Sequence, residues 1–241
     1  GNGHSANYLI PVQLPFHEIF LKISSANNYC LGLKEDGIVY AWGENDYGQL
    51  GNGTKEDTNI PARVLNLDNI VEISAGEIHS LALKSDGTVW GWGNNCWGRL
   101  GVNVGDFSTI PIKIKNLENI ISISAGYQHS LALKNDGTVW EWGCRGCTSE
   151  NPNDCAYDPL FEPTQFEGLE NVISIAAGGY DSIFLKSDGT VWTTNSPYVS
   201  EKISRSRFEY YQIPNLENII QISAGFNHFI ALKNDGTVWA W

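Results

Sequence analysis

The residues of this 241-residue chain best placed to do chemistry are a cysteine cluster, a recurring histidine and a set of loop aromatics. Cys144, Cys147 and Cys155 fall within one stretch, CRGCTSENPNDC, and Cys96 lies in a similar loop upstream. Cysteines this close can pair as loop staples in an oxidising compartment. They can stay as free thiols. They can also ligate zinc, which would require a fourth donor that the C-x-x-C spacing does not supply. Cys30 lies in an alternating apolar segment and reads as a small buried residue.

His79, His129 and His228 occupy one recurring position, taken by Tyr29 and Asp181 elsewhere. A metal site would need the three to converge, and a catalytic histidine would need an oriented carboxylate or nucleophile beside it. Nothing unique accompanies any of them, so they read as hydrogen-bonding groups of the fold. Asp36, Asp86, Asp136, Asp188 and Asp235 each precede a glycine and read as turn residues, not general acids. The Gly-x-Gly pieces at 1–3 and 51–53 lack a following helix and are not phosphate cradles. The chain is therefore expected to be non-enzymatic, without catalytic residues, metal or cofactor.

The elements that carry these residues repeat. Residues 71–93 (VEISAGEIHSLALKSDGTVWGWG) and 121–143 (ISISAGYQHSLALKNDGTVWEWG) are identical at 17 of 23 positions. Related units begin at 21, 173 and 220, giving repeats at about 21–70, 71–120, 121–172, 173–219 and 220–241. Each contains three alternating segments: strand A (Ile-Ser-Ile-Ser-Ala), strand B (His-Ser-Leu-Ala-Leu) and strand C (Thr-Val-Trp-x-Trp). Lys-x-Asp-Gly joins B to C as a tight hairpin. A short strand D is expected to begin at Ile60-Pro61, Ile110-Pro111 and Glu162-Pro163, and an NLEN-type turn leads to the next A.

Four antiparallel strands repeated about every 50 residues predict an all-β fold, a β-propeller of four-stranded antiparallel blades with five repeat units. The five units are expected to form either a five-bladed ring or part of a larger one, within a single domain spanning 1–241. Residues 1–16 would supply the closing strand of the last blade. Eight of the nine tryptophans lie in strand C and read as packing between blades.

The net charge is −12, with 15 Lys and Arg against 27 Asp and Glu. Phosphate neutralisation needs the opposite sign, so nucleic acid is disfavoured, as are anionic membranes. No apolar run approaches the roughly 20 residues of a spanning helix, so no membrane insertion is expected. The protein is expected to be monomeric.

The Ala-Gly-x-x-His-Ser segments at 75–80 and 125–130, the Asp-Gly-Thr-Val-Trp segments, and Gly-x-Leu-Gly at 48–51 and 98–101 resemble the regulator of chromosome condensation repeat family in its bacterial form. The resemblance covers essentially the whole chain. It implies a propeller, and it admits several functions: exchange factors for the small GTPase Ran, ubiquitin-ligase propellers, a plant ultraviolet photoreceptor and a β-lactamase inhibitor. The third unit departs from the pattern by losing Gly-x-Leu-Gly, and the fourth reads Thr193-Thr194-Asn195 where the others carry Trp-Gly. Five arginines are too few for the photoreceptor's arginine-rich tryptophan cluster. A bacterial protein, secreted or at the cell surface, is expected; an effector in a host cytosol is the alternative.

The B–C and D–A turns barely change between units, whereas the A–B and C–D loops do. These variable loops share one face of a propeller. Tyr47, Ile78, Trp97, Arg99, Tyr127, Arg145, Tyr157, Tyr180 and Phe226 are the candidate partner-binding residues there. The expected function is protein–protein interaction through this face. An exchange factor for a Ran-like GTPase, with 144–158 as its wedge, is the alternative, and a proteinaceous enzyme inhibitor is a second.

Overall fold

A computed structural model describes residues 19–145, 159–194 and 209–241. Alternation puts one side of every strand into the space between blades. The first blade is β1 (Lys22–Ser25), β2 (Tyr29–Leu33), β3 (Val39–Gly43) and β4 (Thr58–Arg63). The second is β5 (Ile70–Ala75), β6 (His79–Lys84), β7 (Val89–Asn94) and β8 (Phe107–Lys113). The third is β9 (Ile120–Ala125), β10 (His129–Lys134), β11 (Val139–Gly143) and β12 (Leu160–Gln165). The fourth is β13 (Val172–Ala177), β14 (Ser182–Lys186), β15 (Val191–Thr193) and β16 (Tyr211–Gln212). The fifth contains β17 (Ile219–Ala224), β18 (Phe229–Lys233) and β19 (Val238–Ala240). Each sheet is an antiparallel meander in chain order, the all-β propeller architecture expected of the repeats.

Strand D starts before the expected proline. It opens at Thr58 and Phe107, and the ladder bulges between the partners of Ala41 and Gly43. The bulge is what lets Pro61, which has no N–H, sit inside an edge strand.

Four clusters of buried aliphatic and aromatic side chains fill the spaces between successive blades. Trp92 and Trp142 lie within the first two. Strand A of each blade touches strand A of the next, which places these strands around the axis. At one end the turns interlock. Ile70, Ile120, Val172 and Ile219 donate their N–H to the carbonyls of Gly37, Gly87, Gly137 and Gly189, the glycines of the preceding hairpins. Those glycines have φ of 77–82°, a region costly for any side chain. The constancy of the B–C and D–A turns is thus a requirement of blade stacking, independent of what the other face does.

The stack does not close among the described residues. Ile23 is 77% exposed, whereas its counterparts Ile73, Ile123, Ile175 and Ile222 are 4–8% exposed. Val238 is 66% exposed against 0% for Val39, Val89, Val139 and Val191. The first and last blades each keep one bare packing face, so the described residues form a five-blade arc rather than a closed five-bladed ring. The closing strand expected from residues 1–16 lies outside the described residues.

Candidate functional site

The C–D loops are built on an asparagine hub. In the first blade the Asn45 side chain accepts from Leu50 N–H and donates to the carbonyls of Thr54 and Glu56. In the second, Asn95 repeats this with Leu100, Val102 and Gly105. The Gly-x-Leu-Gly motif then locks each loop to the next blade. Leu50 and Leu100 are buried. The carbonyl of Gln49 accepts the Trp92 indole N–H at 2.8 Å and the Ser80 hydroxyl at 2.9 Å. The carbonyl of Arg99 accepts Trp142 at 2.7 Å and Ser130 at 3.0 Å. These loops are rigid mounts, and they carry Tyr47 and Trp97, both half-buried.

Trp97 has φ of 68°. The other described non-glycine residues with positive φ are asparagines of the D–A turns. Asparagine tolerates the left-handed region; a tryptophan there is strained.

His79 and His129 serve the stack, whereas His228, in the last blade, is exposed. His79 is buried and its Nε2 lies 2.9 Å from the Ser130 hydroxyl of the next blade; His129 and Ser182 repeat the contact. Burial pushes the His79 pKa down to about 3, so the ring is neutral. Tyr29, at the same position, donates its hydroxyl proton to the His79 carbonyl. Among the described residues, no group of three or more His, Cys, Asp or Glu is arranged to hold a metal.

The A–B loops bring three predicted residues together. The rings of Tyr127, Tyr180 and Phe226 lie with centroids 5.0–5.6 Å apart, and Phe226 is 45% exposed. A hydrogen bond to Glu77 holds the Tyr127 proton and raises its pKa to about 12. Ile78, next to Glu77 in sequence, is half-buried. Glu77 was not among the expected residues. Its signal was available: it is an acid at an A–B position where the next unit presents Tyr127, 50 residues on.

Two expected contact residues are corrected. Arg99 is 4% exposed and its Nη1 donates to Asn94 Oδ1. Arg145 is 2% exposed and its Nε lies 3.2 Å from Glu141 Oε1. Both guanidiniums are taken up inside the blades, at odds with the exposed position expected of them. Tyr157, Cys147 and Cys155 lie outside the described residues. Cys144 is disulfide-bonded, while Cys96 and Cys30 carry free thiols.

Among the described residues, the A–B and C–D loops hold Glu44, Asp46, Glu56, Asp57, Glu77, Asp106 and Asp181. Against them stand the buried arginines and Lys55, whose ammonium lies 4.8 Å from the Phe107 ring centroid. The face is aromatic and acidic.

Over residues 1–241 the sequence matches the RCC1-like domain family. The chain belongs to this family. Among the relatives, this RCC1-like domain is 35% identical to the ultraviolet-B receptor UVR8 of Arabidopsis thaliana over 66 residues, 27% of this chain and 15% of the receptor. It is 47% identical to the RCC2 homolog of Xenopus laevis over 49 residues, 20% of this chain and 10% of that one. The chain thus matches only a small share of these relatives. Human WBSCR16 superposes with a TM-score of 0.78 at 23% identity, covering 96% of this chain and 64% of that one. Prp20p of Saccharomyces cerevisiae, which binds Gsp1p and histones, superposes at 0.72 with 24% identity, covering 92% of this chain and 59% of Prp20p. At such identity the likeness is one of fold.

Proposed function

We propose that this RCC1-like domain is a non-enzymatic interaction propeller that offers its A–B and C–D loops to a protein partner. The observation that carries this reading is the chemistry of that face. It gathers Tyr47, Trp97, Tyr127, Tyr180 and Phe226, all half-buried or exposed, on loops pinned by hydrogen bonds and set among carboxylates. Interfaces draw their energy from rigidly mounted aromatic side chains that lose little entropy on contact. The left-handed Trp97 supports it further, since backbone strain held by a rigid surround concentrates at functional positions. The opposite face is occupied with joining blades.

Exchange of nucleotide on a Ran-like GTPase is a narrower reading. The likeness to Prp20p, a binder of Gsp1p, supports it. Most of the wedge loop it would use, 144–158, lies outside the described residues. The experiment is capture of partners from lysate on the immobilised chain, followed by release of a fluorescent guanine nucleotide from any GTPase recovered. Accelerated release supports the exchange reading. A stable partner without release supports the interaction reading alone. No partner that distinguishes the chain from its Trp97→Ala variant counts against both.

A further inference from the structure

On the variable face, along the inner edge of the arc, the A–B loops of all five blades line an open depression of about 190 Å3. Its floor is made small by design of the stack. Gly76, Gly126, Gly178 and Gly225 each follow an alanine, and a Cβ on Gly76, Gly126 or Gly225 would run into the ring of His79, His129 or His228. The depression is below the roughly 300–1,000 Å3 of small-molecule sites. It suits one long side chain rather than a cofactor.

Its backbone amides are committed. The amides of Gly76, Gly126, Gly178 and Gly225 donate to the carbonyls of His79, His129, Asp181 and His228 at 2.8–2.9 Å. Those of Glu77, Tyr127 and Gly179 donate across to Gly126, Gly178 and Phe226. These seven donors are therefore spent, and they cannot cradle an anion. The lining instead presents the Glu77 carboxylate, which already accepts the Tyr127 hydroxyl and lies within electrostatic reach of the buried Arg99, together with Tyr127 and Phe226, with Tyr180 packed against both. A carboxylate next to exposed aromatic rings is the chemistry that takes a cation. The acidic loops around it favour the approach of the same sign.

We propose that this axial depression is a receptor for an arginine side chain of the protein partner, its guanidinium held by Glu77 and stacked on Tyr127 and Phe226. The assignment rests on the face reading above. Arginine fits better than lysine because its planar group can stack on a ring and fork a carboxylate together.

The test uses the isotope-labelled intact chain and the peptide acetyl-Gly-Ser-Gly-Arg-Gly-Ser-Gly-amide. Two matched peptides carry citrulline, the neutral isostere, or leucine in place of arginine. The arginine peptide should shift the amide resonances of Gly126, Tyr127, Gly178 and Gly225 with roughly millimolar affinity, the strength one anchoring side chain gives. Glu77→Gln and Phe226→Ala should each weaken it about tenfold, the loss of a charged or cation–π contact. Glu118→Gln, in a D–A turn on the opposite face, should leave it unchanged, and the amide spectra of the variants report that they are folded. Equal binding of the citrulline or leucine peptide overturns the proposal, as do shifts confined to other surfaces or the absence of shifts at the axis. If the peptide fails at the axis while Trp97→Ala still weakens partner capture, the receptor is wrong and the face reading stands. If the peptide binds and no face variant affects capture, the face reading is the one that fails.

Discussion

Replacing Arg145 by alanine should destabilise the third blade severely, although the residue type suggests a tolerant surface position. The Arg145 and Glu141 side chains are 2% and 0% exposed, with Nε and Oε1 3.2 Å apart. The guanidinium also lies 5.7 Å from the Phe166 ring centroid. Arg145→Ala leaves the carboxylate buried beside an apolar ring. Breaking such a pair costs about 3–5 kcal/mol, a large fraction of the roughly 5–15 kcal/mol that holds a domain folded. At about 2–4 °C per kcal/mol for this size, melting should fall by about 6–20 °C. Ala41 and Gly91 stand at the Glu141 position in the first two blades, so Glu141→Ala with Arg145→Ala should recover much of the loss. Urea unfolding followed by circular dichroism gives all four corners of the cycle. A single-variant cost within about 0.5 kcal/mol, the range of ordinary surface changes, would refute the buried-pair reasoning. A double variant as damaged as the single would show that packing, not the uncompensated charge, sets the cost.

Three further outcomes follow from other parts of the stack. His79 is neutral in the fold with its pKa lowered to about 3, so the unfolded chain binds the extra proton below its ordinary value near 6.5. Stability should fall as pH drops through that window, by up to about 1.4 kcal/mol per unit from this group. The difference in unfolding free energy between wild type and His79→Gln should shrink with the pH, and a constant difference from pH 7 to 4 would contradict it. Because Trp97 sits at φ 68°, Trp97→Gly should be more stable than Trp97→Ala by about 1 kcal/mol in thermal unfolding; equal stabilities would mean the loop relaxes. Ile23→Lys and Val238→Lys, on the bare faces, should change stability by less than about 0.5 kcal/mol, whereas Ile73→Lys and Val89→Lys should unfold the chain. Similar damage from both pairs would mean the faces at either end are covered.

The blades were legible in the sequence because local rules act alone there. Alternation with period 2 marks β6 and β10, and Asp-Gly before Thr-Val-Trp marks each hairpin. The role of His79 and His129 was legible because a residue repeated once per unit belongs to the contact between units; exposed His228 follows the pattern without the contact. Burial of Arg99 and Arg145 was not legible from residue type. Arg99 occupies the place of Gln49, where the backbone carbonyl does the locking and the side chain is free to turn inward. Arg145 is drawn in by Glu141, an acid at a strand-C position that is small in the first two blades, and that contrast was the available clue. The bare faces of the first and last blades could not be read at all. Ile23 and Val238 match their buried counterparts in pattern, and periodicity does not say whether a neighbouring blade is present.

We propose that the A–B and C–D loops form the partner-binding surface. Once a partner is in hand, its dissociation constant should be measured for Trp97→Ala and Tyr180→Ala on that face, and for Ser85→Ala and Asn135→Ala in the opposite turns. Truncating a rigid aromatic anchor costs on the order of 2 kcal/mol, roughly a thirtyfold rise in the constant. The two face variants should show that rise while the two turn variants stay within about twofold of wild type. Weakening by the turn variants, with Trp97→Ala and Tyr180→Ala indistinguishable from wild type, would contradict the assignment.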